Sequence, residues 1–329
     1  MREKNRNISL DVARGVGIIL VVIGHTMSPV MTGNTVMETA YQILYVFHMP
    51  LFFLLAGLVA QKLGGGGGGY TSSRTELIKH RATRLMIPYF TWAVIYAPMK
   101  ILMKEQARFQ YDYSLWTLLI GNNPDGQLWF LYVLFVLSVV SILFVNEKNL
   151  KWWCTAAVGA SVAAPIIPST IGLPGITLSF SMYQVGFFFL GMLLIPQRDC
   201  FFKNGKIALL CVAVWMGFSI MHLCDISIWW LKALAAWCAC YCILYLCSAI
   251  STTKMAKGLS YLGKNSMNIY IIHAPILVVG RTVLSRFGEA VPWAYVAVMS
   301  AAAVALSLVI SCCIIQRVRL FRLLLLGTN

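Results

Sequence analysis

Three ionisable side chains, Asp11, Arg14 and His25, lie in one apolar stretch, ISLDVARGVGIILVVIGHTMSPV, from Ile8 to Val30. The stretch is long enough to cross a bilayer. A charged group inside a span costs at least about 2.5 kcal/mol, so such groups are rare and face a cavity or a partner. On a helix, Arg14 and His25 are about 20° short of sharing a line, with a rise between them of about 16 Å. Asp11 lies about 60° from Arg14 on the same side as His25. The three side chains thus fall on a stripe roughly 60° wide, at different depths. A guanidinium at one end of such a stripe suits phosphate, through bidentate hydrogen bonds. An imidazole at the other end suits general-base work, its ordinary pKa being near 6.5. The competing reading is structural: Asp11 and Arg14 pair near the headgroups, and His25 bonds a neighbouring helix.

Two more histidines sit at membrane depth. His48 lies in YQILYVFHMPLFFLLAGLVA, where Met49-Pro50 loosens the backbone beside it, and its depth matches that of His25. His273 lies near the middle of LGKNSMNIYIIHAPI, a segment whose first half also carries Asn268 and Tyr270. Trp129 and Tyr132 open the run QLWFLYVLF, suiting either an aromatic belt or stacking against a sugar ring. Lys79, Arg81 and Arg84 precede another apolar run in KHRATRLMIPYF, and Arg81 and Arg84 share a helix face. That cluster is either a phosphate site or ordinary basic anchoring. His80 and His222 read as interfacial.

The elements that must position these groups follow from composition. Of 329 residues 59% are hydrophobic and 11% charged, against about 25% charged in soluble domains. The chain therefore reads as an all-α, polytopic membrane helical bundle, a single domain over residues 1–329. Ten apolar segments are expected, near 8–30, 41–63, 82–104, 128–145, 151–168, 180–196, 206–223, 228–250, 264–284 and 292–315. Prolines 165, 168 and 196 predict breaks. The first segment is too long and too charged for a removable signal peptide.

The net charge of +15 does not point to nucleic acid, because the basic residues sit in short connections. Of 26 lysines and arginines, 19 fall on one side of a ten-span arrangement and five on the other, with Arg14 and Lys232 inside spans. That asymmetry puts both termini in the cytoplasm and predicts contacts with anionic membrane lipids. The ten cysteines show no spacing that suits a zinc site and read as small buried hydrophobes; no metal is expected. The six glycines 64–69 read as a flexible tether or an engineered linker.

Several of these stretches resemble the acyltransferase-3 family of integral membrane acyltransferases. SLDVARGVGIILVVIGHT is similar to its first span, with Arg14 and His25 meeting its arginine–ten residues–histidine motif. FHMPLFFLLAG resembles its second span, although Ala56 stands where the family commonly has serine before glycine. HRATRLMIPYF, QLWFLYVLF and GKNSMNIYIIHAPI resemble later segments. The resemblance covers nearly the whole chain and is strongest toward bacterial sugar O-acetyltransferases, including the fucose 4-O-acetylase-like branch. It implies transfer of an acetyl group from cytoplasmic acetyl-CoA to a hydroxyl of an extracytoplasmic or lipid-linked glycan, at a multi-pass protein of the bacterial inner membrane.

On that reading His25 is the general base, or carries the acyl group itself. Arg81, Arg84, Lys79 and Arg14 hold the CoA phosphates, and Asp11 orients Arg14. His48, Trp129, Tyr132, Asn268, Tyr270 and His273 line the acceptor pocket or support the oxyanion. A transporter or flippase is the other class open from the sequence, since ten spans with intramembrane charges and proline breaks suit one as well.

Overall fold

A computed structural model of the chain describes residues 7–60, 73–102, 127–167, 172–173, 176–197, 201–224, 226, 228–284 and 291–328. The glycines 64–69, the polar loop near 105–126, Cys200 and the basic residues Arg2, Lys4, Arg6, Lys62, Lys104, Arg108, Arg198 and Arg286 lie outside them. The described α-helices are α1 (Ile8–Met27), α2 (Thr35–Ala60), α3 (Arg74–Leu102), α4 (Trp129–Phe144), α5 (Leu150–Ala163), α6 (Leu178–Leu194), α7 (Gly205–Leu223), α8 (Trp229–Ile250), α9 (Lys254–Lys264), α10 (Ser266–Leu284), α11 (Pro292–Cys313) and α12 (Arg319–Leu326). The described extended structure is one antiparallel pair of two-residue strands, Gly172–Leu173 with Ile176–Thr177.

Each of the ten expected segments holds one helix. Six of them, α1, α2, α7, α8, α10 and α11, are long and apolar enough to span a membrane; α4 and α6 are shorter apolar helices. The protein is a polytopic helical membrane protein. Its lipid-facing surfaces are visible as exposed apolar side chains on single faces, such as Leu209, Leu210, Met216 and Ile220 of α7, and Val298, Leu306 and Val309 of α11. In water such faces would be a liability; in hydrocarbon they are the expected solvent contact. Two of the three prolines act where expected, and Pro168 lies outside the described residues. α5 gives way at Ala163 to a short 3₁₀ turn containing Pro165, and α6 ends at Leu194 before one containing Pro196. Pro50 and Pro275 instead remain inside α2 and α10.

Internal contacts divide the chain into two compact units: residues 1–55 with 194–311, and residues 56–193 with 312–329. In the first unit, α1 packs most extensively on α9, then on α8 and α10. Two glycines permit the α1–α9 approach. A Cβ on Gly263 would lie 1.8 Å from the Asp11 carbonyl oxygen, and one on Gly15 would lie 2.0 Å from that of Leu259. The backbones meet without side chains between them, as small residues allow between membrane helices. Gly263→Ala should therefore force the two helices apart, at about 1–3 kcal/mol in lost packing. The expected readout is a lower unfolding temperature in detergent, whereas Gly258→Ala, on the open side of α9, should leave it unchanged.

The helix α9 is absent from the ten-segment reading. Its lysines at 254, 257 and 264 mark it as a basic connection, but KMAKGLSYLGK also places Ala256, Ser260 and Gly263 on one buried face. That three-to-four spacing is the helical signal, hidden because the buried residues are small rather than strongly apolar. At the far end of α1, Met27 joins Met37, Tyr295, Val296 and Met299 in a buried cluster.

In the second unit α3 packs on α4 and α12. The Trp92 indole N–H donates to the Leu325 carbonyl at 2.9 Å, and the Gln127 amide donates to the Tyr96 hydroxyl at 3.0 Å. The Ser161 hydroxyl joins α5 to α6, donating to the Tyr183 carbonyl at 2.5 Å and accepting the Gly186 N–H at 3.1 Å. The described cysteines are free thiols; Cys154, Cys238, Cys240, Cys242 and Cys247 are buried, while Cys224 and Cys313 are exposed.

Candidate active site

The stripe on α1 begins at its N-cap. The Asn7 side chain accepts the N–H groups of Ser9 and Leu10, which starts the helix one turn before Asp11. The Asp11 side chain is buried, 2% exposed, and accepts a hydrogen bond from Arg14 Nη1 at 2.9 Å. Arg14 is one-quarter exposed, so its guanidinium reaches past the carboxylate. A buried carboxylate is tolerable only with such a partner. The helix runs unbroken from there to His25, so the rise of about 16 Å between Arg14 and His25 holds.

At the other end of α1, three histidines from three helices meet within the first unit. The His25 and His273 rings are 5.2 Å apart, centroid to centroid, in an edge-on arrangement at 63°. His48 is brought to the same end of α1 by Tyr45, whose ring packs against Gly24. The Tyr45 ring lies edge-on to His48 at 4.5 Å, and Tyr270 lies 6.2 Å from His273. Gly24 makes room for Tyr45, since a Cβ there would lie 3.0 Å from the tyrosine ring. Beside His25, the Thr26 hydroxyl donates to the Val22 carbonyl at 2.8 Å and accepts from Ser300 of α11 at 3.2 Å. Tyr45 and Thr26 carry no mark in the sequence reading. The spacing Tyr45-x-x-His48, which puts both rings on one face of α2, is the signal that could have found the first.

The two buried histidines are fixed in tautomer. His48 Nδ1 lies 2.9 Å from the Leu44 carbonyl and His273 Nδ1 lies 3.0 Å from the Ile269 carbonyl, each one turn back on its own helix. A carbonyl only accepts, so the hydrogen sits on Nδ1 in both rings, and Nε2 holds the lone pair. The neutral rings consequently have no N–H left to donate to an oxyanion. Of the two roles expected for them, oxyanion support does not fit their geometry, and accepting a proton or a hydrogen bond does. His273 is 0% exposed, and its Nε2 has no hydrogen-bond partner among the described residues. Leaving such an atom unpaired costs about 1–3 kcal/mol. His25 is half-buried, and neither of its ring nitrogens is hydrogen-bonded to a described residue.

The remaining expected residues fall elsewhere. Asn268 donates to the Ser311 hydroxyl at 2.8 Å, clamping α10 to α11. His222 bonds Gln42 and stacks on Phe218, in keeping with an interfacial position. In the second unit Trp129 is buried, and Tyr132 is half-buried with its ring 5.8 Å from the fully buried Tyr89. Lys79 and Arg84 are exposed and Arg81 is half-buried, all near the start of α3. Desolvation, and then the like charge of Arg84, hold the Arg81 pKa below the usual arginine value. An anion would relieve both effects.

A partly open imidazole with no hydrogen bond to a described residue, backed by two histidines that can only accept, is suited to taking a proton from a hydroxyl or attacking a carbonyl. The comparisons with known proteins decide which chemistry this is. The model of the acyltransferase-3 family, described as an acyltransferase domain, matches residues 7–312. The chain belongs to the acyltransferase-3 family. Relatives of this acyltransferase include nodulation protein NolL of Sinorhizobium fredii, 24% identical over 310 residues, covering 87% of this chain and 81% of the relative. Nodulation protein NolL of Mesorhizobium japonicum is 26% identical over 190 residues, covering 56% of this chain and 48% of the relative. No solved structure matches. The protein is thus a multi-pass membrane acyltransferase, and membership of this family decides against the transporter or flippase that the sequence left open.

Proposed function

We propose that this acyltransferase moves an acetyl group from cytoplasmic acetyl-CoA to a hydroxyl of an extracytoplasmic or lipid-linked glycan in the bacterial inner membrane. The observation that carries the reading is His25: half-buried, with neither ring nitrogen bonded to a described residue, and on the same helix as Arg14. The excess of basic residues on one side supports a cytoplasmic donor. The bacterial source of the relatives supports the membrane.

In this scheme Arg81 and Arg84, with Lys79, take CoA phosphates by charge-assisted hydrogen bonds. Arg14, steadied by Asp11, is a second candidate for a phosphate. The neutral His25 ring removes the proton of the acceptor hydroxyl as its oxygen attacks the thioester carbonyl. The carbon–sulfur bond breaks, and the imidazolium returns the proton to the thiolate. The products are a glycan ester and free CoA. A two-step variant, in which His25 itself carries the acyl group, uses the same nitrogen.

The test is a coupled assay on the purified protein in nanodiscs, with radiolabelled acetyl-CoA and a bacterial lipid-linked saccharide extract. Release of free CoA together with label in the saccharide fraction is expected. Absence of thioester consumption with acetyl-CoA and the extract would reject the reading. Label retained on the protein when the extract is left out would select the acyl-histidine route.

A further inference from the structure

His273 has no place in the expected chemistry beyond a pocket wall. Its geometry is more specific than that. The ring is 0% exposed, so a bulky acceptor does not reach it. Its Nδ1 hydrogen is committed to the Ile269 carbonyl. The lone pair on Nε2, across the ring from the backbone, therefore has to find a donor inside the bundle, and it has none among the described residues. The ring packed edge-on to it at 5.2 Å is His25, whose own nitrogens also lack hydrogen-bond partners among the described residues.

A catalytic imidazole works best when one nitrogen's hydrogen is held, so that the other nitrogen always presents the lone pair. A carboxylate often does this. Here the carboxylate on α1, Asp11, is about 21 Å away along the helix and is engaged by Arg14. His48 presents an accepting Nε2 in the same way, but the ring that meets His25 edge-on is that of His273. Thr26 has its hydroxyl hydrogen on Val22.

We propose that His273 is the positioning residue for His25: its Nε2 accepts the ring N–H of His25 and so holds the other His25 nitrogen, lone pair outward, toward the reacting groups. This rests on the reading of His25 as base or acyl carrier. During transfer the proton leaves the acceptor hydroxyl for the outward nitrogen of His25 and passes on to the departing thiolate. The hydrogen held by His273 does not move. A neutral histidine in this role orients His25 without adding a negative charge inside the membrane, where an unpaired carboxylate would be costly.

The experiment combines histidine-selective nitrogen NMR with steady-state kinetics in nanodiscs. In the unsubstituted protein, His25 is expected in a single neutral tautomer with a hydrogen-bonded N–H. Exchange between both tautomers there would overturn the proposal without any variant. His273→Leu, which cannot accept, is expected to mix the tautomers and to lower kcat roughly a hundredfold. KM for acetyl-CoA should stay within about twofold. His273→Gln, whose amide oxygen accepts, should recover part of kcat and the single tautomer. A folded His273→Leu protein with kcat within about twofold of the parent would sink the idea. His25→Ala separates the two levels. If it is inactive while His273→Leu is active, only the positioning role fails. If His25→Ala is itself active, the reading of His25 fails first.

Discussion

Replacing His25 with alanine is expected to lower transfer from acetyl-CoA by about 10³-fold or more, with the protein still folded. General-base removal alone costs about 10²–10⁴ in rate. A covalent role for the same nitrogen would put the loss at the upper end. The fold should survive for local reasons. His25 is half-buried and makes no hydrogen bond with a described residue, so no buried partner is stranded by its removal. Alanine is the strongest helix former, and the neighbouring Thr26 bonds to Val22 and Ser300 do not involve the ring. KM for acetyl-CoA should barely change, because the proposed phosphate contacts use other side chains, with Arg14 about 16 Å away on α1. Measured kcat and KM with the saccharide extract, beside an unfolding curve, check this. Activity within tenfold of the parent would mean that the chemistry is elsewhere.

The sequence made the first helix legible because its costly residues are few and periodic. Asp11, Arg14 and His25 stand out against an apolar background, and their angular spacing is fixed by the helix alone. The structure adds that Asp11 belongs to Arg14, at 2.9 Å, as the spacing of three residues suggested. The ten apolar segments were legible for the same reason: bilayer thickness imposes length and composition. The packing between helices was not. α1 meets α9 through Gly15 and Gly263, residues that carry no hydrophobic signal, and α9 itself hides its buried face behind small side chains. Nor could spacing reveal that His48 and His273 each spend one hydrogen on a carbonyl of their own helix. That commitment turns two candidate donors into acceptors. It depends on side-chain rotation, which periodicity does not encode. Trp129 and Tyr132 read as either an aromatic belt or a stacking surface for a sugar ring; Trp129 is buried and Tyr132 is half-covered near Tyr89.

The Asp11–Arg14 pair should respond asymmetrically to mutation. Arg14→Ala strands the Asp11 carboxylate, 2% exposed, in the bundle without its guanidinium. Breaking a buried pair from that side costs about 3–5 kcal/mol. Asp11→Asn is milder, because Arg14 is 25% exposed and its side chain can extend toward water. The amide also keeps an oxygen that accepts from the guanidinium. A sharply lower unfolding temperature in detergent is therefore expected for Arg14→Ala and a slight one for Asp11→Asn. The double variant Asp11→Ala, Arg14→Ala should be more stable than Arg14→Ala alone, since it no longer buries a lone charge. Activity then separates the two roles of the arginine. If Arg14 serves only to neutralise Asp11, the double variant recovers transfer along with stability. If Arg14 also holds a CoA phosphate, stability returns but KM for acetyl-CoA stays raised by about tenfold, the worth of one charge-assisted contact. Equal stability of Arg14→Ala and Asp11→Asn would contradict the burial argument. Full recovery of KM in the double variant would remove Arg14 from the donor site and leave the phosphates to Arg81 and Arg84.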